Sequence, residues 1–118
     1  MSTLREAYES IGADYDDVLH RLMGSDDMVA RFAGKFLEDP SMAQLEDALA
    51  AGDVEGAFRA AHTLKGVAQN LGFSNVFEPA STLTESLRGG SFAGADELAV
   101  PVREQHAATV EALKEALG

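Results

Sequence analysis

The chain has 118 residues, no cysteine and a formal net charge of −11, with 46% hydrophobic and 25% charged residues. This mixture fits one compact domain spanning residues 1–118 and excludes disordered, collagen-like and low-complexity classes; without cysteine there is no disulfide framework and no thiolate metal site. The acidic balance repels phosphate backbones and anionic lipid surfaces, so neither nucleic acid nor membrane is an expected partner.

Apolar residues recur at helical spacing along nearly the whole chain, and no stretch alternates convincingly with period two. The N-terminal MSTLREAYES lacks a basic stretch followed by an apolar one, so it does not read as a signal peptide. The longest uncharged run, residues 66–77, is too short and too polar to span a bilayer. A cytoplasmic protein is the expectation. Leu4, Ala7, Tyr8 and Ile11 form a first short stripe; Tyr15, Val18, Leu19 and Leu22 form a second, closed by Met23-Gly24. Val29, Phe32, Ala33, Phe36 and Leu37 form a third, ended by Asp39-Pro40-Ser41. Ser41 followed by Gln44 has capping-box spacing and predicts the start of a fourth helix, lined by Met42, Leu45 and Leu49 and stopped at Gly52.

Asp53 is placed to cap a fifth helix, about residues 53–71, with Gly72 as its C-terminal stop. A sixth begins at Ser74 or Asn75, carries Val76, Ala80, Leu83 and Leu87, and ends at Arg88-Gly89-Gly90. A seventh starts near Asp96 and carries Val102, His106, Val110, Leu113 and Leu117. Pro79 and Pro101 lie near helix starts; a helix that begins before either one loses a backbone hydrogen bond there. The expected fold is all-α: an antiparallel four-helix bundle over residues 41–118, with short N-terminal helices in residues 1–39 covering an end or side.

The fifth helix carries an unusual face. At about 100° per residue, Ala57, Ala60, Leu64, Val67, Ala68 and Leu71 share one side, and His62 points roughly opposite. Lys65, Gly66 and Gln69 lie at i+3, i+4 and i+7 from His62, hence next to its ring. An exposed imidazole is largely neutral near neutral pH, and a neutral imidazole is a nucleophile. Lys65 can pair with an anion on that ring, Arg59 can assist from the other side, and Gln69 can hydrogen-bond the ring or a partner. Glycine within a helix costs about 1 kcal/mol relative to alanine, so Gly66 needs a reason. It removes bulk where another protein would approach the ring. Each feature alone is commonplace, since a lone exposed histidine is usually only a surface residue. Their order on one face makes chance a poor explanation. Phe58, one turn before His62, has two readings: packing sideways beneath a neighbouring helix, or forming part of a docking patch.

His20 and His106 sit beside or within apolar stripes and read as boundary or core residues. No histidine pair has zinc-helix spacing, the acidic pairs Asp16-Asp17 and Asp26-Asp27 lack EF-hand spacing, and no nucleotide-binding glycine loop is present. Autonomous ATP chemistry is therefore not expected.

The segment AHTLKGVAQNLG, residues 61–72, closely resembles the signature of histidine-containing phosphotransfer (HPt) domains: His, any residue, Leu-Lys-Gly, then Leu-Gly a few residues on. His62, Leu64, Lys65, Gly66, Leu71 and Gly72 all match. Residues 11–39 are similar to the family's N-terminal helical cover, residues 45–62 to the lead-in to its phosphorylated helix, and residues 80–90 to its next helix. There the acidic residue expected straight after Leu83 is Thr84, with Glu85 one place later. The resemblance covers residues 11 to 90. It implies a four-helix bundle in which His62 takes a phosphoryl group from a receiver-domain phospho-aspartate, or from a histidine kinase system, and passes it to another receiver. Lys65 would be the electrostatic partner, Gly66 the clearance position and Gln69 a supporting polar residue. No cofactor bound by this chain is implied; Mg²⁺ is expected on the partner receiver. The rival reading is a binding-only scaffold or decoy for receivers, against which the intact His62, Lys65 and Gly66 stand. A monomer is expected. Met1 and the helix closing at Gly118 lean towards a free-standing shuttle over a piece of a larger kinase.

Overall fold

Seven helices and no strand make up residues 3–118, the part described by the computed structural model. They are α1 (Leu4–Ser10), α2 (Tyr15–Arg21), α3 (Asp26–Glu38), α4 (Ser41–Ala51), α5 (Val54–Asn70), α6 (Ser74–Arg88) and α7 (Ala95–Leu117). Short turns reverse the chain between α4, α5, α6 and α7. Each of these helices packs on the next, giving the antiparallel bundle, while α1 and α3 lie against α7.

Local side-chain chemistry places most of the starts. Asp53 accepts a hydrogen bond from the Gly56 N–H at 2.9 Å and caps α5 as expected. Asp14 and Ser25 cap α2 and α3 in the same way. The predicted capping box at Ser41 and Gln44 does not form. Pro40 already has helical φ and ψ, so the helix starts one residue earlier and Ser41 falls inside its first turn, buried. The Ser41 N–H donates instead to the Asp39 carboxylate at 3.1 Å. A reciprocal capping box does exist at Thr3 and Glu6. Gly52 and Gly72 end α4 and α5 with φ of +71° and +74°, the left-handed conformation that favours glycine. Both α6 and α7 begin before their prolines, so Pro79 and Pro101 each leave one helical carbonyl without its usual donor.

The interior of α5 is built from Ala57, Ala60, Ala61, Leu64 and Ala68. Four alanines on one face let α4 and α6 approach closely on both flanks. Phe73, fully buried in the turn after α5, anchors an aromatic cluster: its ring centroid is 5.0 Å from Tyr8 of α1 and 4.9 Å from Phe36 of α3. The Tyr8 hydroxyl donates to the Leu71 carbonyl at 2.7 Å, satisfying a buried acceptor where α5 stops. Asn75 of α6 donates to Gln105 and Thr109 of α7 at 2.9 and 3.0 Å, a polar link through the bundle. Thr109 joins the buried stripe of α7, whereas Leu117, expected on that stripe, is exposed beyond the helices that could cover it.

Two outcomes follow from this packing. Tyr8→Phe should lower unfolding free energy by about 1–2 kcal/mol in urea titrations, because the Leu71 carbonyl loses a partner in a dry site. His106 packs 5.5 Å from Phe36, and burial pushes its pKa below the ordinary 6.5, opposed by the nearby Asp39 carboxylate. As pH falls below that ordinary value, the unfolded chain binds a proton that the folded chain resists, so stability falls until the lowered folded value is passed. Between about pH 7.5 and about pH 5 the wild-type urea midpoint should drop more steeply than that of His106→Asn.

Candidate functional site

With α4 on one flank of α5 and α6 on the other, one stripe of α5 stays bare. His62 and Gln69 on this stripe are exposed, and Lys65 and Gly66 are partly exposed. All four residues singled out by their spacing thus lie on one face. The His62 ring makes no hydrogen bond among the described residues, and Lys65 has no ion-pair partner among them. Neither ring nitrogen is engaged by another group among the described residues.

Gly66 has no steric reason within the chain. A Cβ built there meets nothing within 4 Å. At Gly72, by contrast, φ is +74° and an added Cβ comes 3.2 Å from the Val18 side chain. The fold needs the second glycine and not the first.

Phe58 packs as the first of its two readings expects and also keeps exposed surface. It is half-buried and packs at the rim of the core, and its remaining surface lies beside His62. The two rings stack nearly parallel, 16° apart with centroids 6.0 Å apart. Arg59 is exposed but lies 3.4 Å from Glu55, one turn earlier on α5, and lines a cleft shared with Gln44 and Asp47 of α4. The backbone carbonyl of Gln69 accepts from Arg21 of α2 at 2.9 Å, which ties the end of the stripe to the N-terminal helices.

Two neighbours come from α6 and were not singled out from sequence. Arg88 holds its guanidinium 5.1 Å from the centre of the Phe58 ring and forms two hydrogen bonds of 3.1 Å to Glu85. Arg88 holds the Glu85 carboxyl below the usual carboxylate range, and Lys65 and His62 add smaller attractions. Their sequence signals are the i, i+3 spacing and, for Glu85, its place one residue beyond the expected acidic position, and both become informative once α6 is known to flank α5. Thr84, where an acidic residue was expected, is fully buried and donates to the Ala80 carbonyl at 2.7 Å. Glu85 is the residue of this pair that reaches the surface.

His20 lies exposed on α2 and His106 half-buried on α7, away from His62 along the chain and in different elements. Among the described residues, no group of His, Asp and Glu is arranged to hold a metal ion. None of their helices is long and apolar enough to cross a membrane. An apolar cleft of about 520 Å³ opens between Phe32, Phe36, Val67 and Leu71, and neither His62, Lys65 nor Gly66 lines it.

A family model described as the Hpt domain matches residues 27–117. The chain belongs to the Hpt domain family. That membership places it in the phosphotransfer chemistry of two-component signalling, whose Hpt domains work with receiver domains and histidine kinases and carry no cofactor of their own. The match starts later than the resemblance read from sequence, leaving α1 and α2 outside, and runs on through α7. Among curated proteins and among solved structures, no match was found.

Because nothing inside the Hpt fold calls for glycine at 66, Gly66→Ala should stabilise the protein by about 0.5–1 kcal/mol, read as a higher Tm. Gly72→Ala should lower Tm.

Proposed function

We propose that this protein is a phosphocarrier in which His62 accepts a phosphoryl group from the aspartyl phosphate of a receiver domain and returns it to another. Residues 1–118 act as one domain in which residues 1–39 cover the bundle. The observation that carries the reading is His62 itself: an exposed imidazole whose nitrogens are unengaged among the described residues, a Lys65 one turn on with no ion-pair partner among them, and open space at Gly66.

The step needs little from the carrier. A ring nitrogen of neutral His62 attacks phosphorus in line. The P–N bond forms as the P–O bond to the aspartyl oxygen breaks, the carboxylate leaves with the electron pair, and the ring proton passes to solvent. Mg²⁺ belongs to the partner receiver, where it would neutralise the equatorial oxygens. Lys65 offsets part of the charge gained on this side. Gly66 lets the partner close to the short distance that in-line attack requires. The accessible part of Phe58, with Gln69, Gly66 and Arg59, forms the surface around the ring on which the receiver rests. Apolar contact there supplies affinity and the charged rim sets register.

The test mixes the protein with a ³²P-labelled phospho-receiver and Mg²⁺ and follows acid-labile label on this chain. Wild type should take label. His62→Gln should take none while keeping its circular dichroism and losing little in Tm, because the ring is exposed and its stack on Phe58 lies at the rim of the core. Lys65→Ala should transfer roughly tenfold more slowly, equivalent to ~1.4 kcal/mol of lost attraction to the moving phosphoryl group. An unlabelled wild-type chain that still binds receivers would make it a scaffold. Unfolding of His62→Gln would overturn the exposed-face reading.

A further inference from the structure

The cations near His62 are unequally available. Arg59 is held by Glu55 at 3.4 Å, and Arg88 is held by Glu85 through two 3.1 Å contacts. Lys65 has no such partner among the described residues. A phosphoryl group on His62 would therefore meet two engaged guanidinium groups and one available ammonium. Arg88 reaches this site from α6: its guanidinium lies 5.1 Å from the centre of the Phe58 ring, and that ring stacks on the His62 ring with centroids 6.0 Å apart, so both groups border the same aromatic side chain.

We propose that Glu85 sets the transfer potential of phosphorylated His62, by holding Arg88 back from the phosphoryl group and by adding a like charge beside it. The proposal rests on His62 being the phosphoryl carrier. A guanidinium is a planar, bidentate partner for phosphoryl oxygens. Released, Arg88 would clamp the group and turn His62 into a sink. Paired with Glu85, it leaves the dianion under-neutralised, so the phosphorylated state stays high in free energy and discharges readily to a receiver. A relay that both accepts and donates needs this balance, because tight binding of the charged state would slow every onward step. Glu85 and Arg88 are positioning residues here, acting through charge and not through the reacting atoms.

The experiment measures the equilibrium constant for phosphoryl exchange between this protein and one receiver with Mg²⁺, using dilute components so that docked complexes are not populated. An exchange constant between dissociated species is blind to docking strength. The full chain is compared as wild type, Glu85→Gln, Arg88→Gln and the double variant. Glu85→Gln should move phosphate toward His62 by about two- to fivefold, the range open to an exposed charge pair, and added salt should shrink the shift. Arg88→Gln should move it the opposite way, toward the receiver, and the double variant should return close to wild type. Shifts of the same sign in both single variants, or no shift in either when the wild type does take label, overturn this proposal alone. A wild type that takes no label at all overturns the carrier reading and this one with it.

Discussion

The structure depends on one constraint: α5 must be buried along its length by two helices while keeping a single stripe bare. Alanine meets that constraint. Ala57, Ala60, Ala61 and Ala68 surround Leu64, and none of the four carries volume beyond a methyl. With larger residues there, α4 and α6 would stand further off and their edges would spread over the outer face. With fewer apolar residues, the helix would not be held at all, since helical stability in proteins comes chiefly from packing of an apolar face. The exposed stripe with His62, Gly66 and Gln69 is what remains after this packing, so its composition is largely free of core demands.

Rigidity at the end of that stripe is imposed from the N-terminal helices. The Tyr8 hydroxyl on the Leu71 carbonyl, the Arg21 guanidinium on the Gln69 carbonyl and the Phe73 ring between Tyr8 and Phe36 all act within four residues of one another. The last carbonyls of a helix lack intrahelical donors; Tyr8 supplies one to the buried Leu71 carbonyl and Arg21 supplies one to the Gln69 carbonyl at the surface. The N-terminal helices are therefore more than a lid over apolar surface. They terminate α5 and fix where Gln69 lies relative to His62.

Much of this was legible in the residues. Periodicity located all seven helices, Asp53 and Gly72 bounded α5, and the wheel separated its alanine side from the His62 side. Capping at Ser41 was misread because spacing alone does not reveal that Pro40, with its restricted φ, already belongs to the helical region and shifts the register by one residue. The box at Thr3 and Glu6 went unnoticed beside so short a stripe. Phe58 was left with two readings because a helical wheel describes one helix, and this ring is half in the core and half beside His62 only when α6 supplies a wall. For the same reason the placement of Glu85 and Arg88 beside His62 does not follow from the helical wheel. They join the site through tertiary placement of α6, to which no pattern within the α5 segment refers.

The charge pattern gains meaning at that junction. A chain with a net charge of −11 repels a dianionic phosphoryl group at long range, so a site that carries one must supply local compensation. This site does so with unusual restraint: three cations stand near the imidazole, and carboxylates one turn away along the same helices engage two of them. Full compensation would favour keeping the group and no compensation would favour never receiving it. An arrangement in which Lys65 has no ion-pair partner among the described residues, with the two arginines tied to Glu55 and Glu85, lies between those limits. On the proposed carrier reading, this brings receiving and releasing closer in free energy, which is the physical condition for a protein that passes a group on.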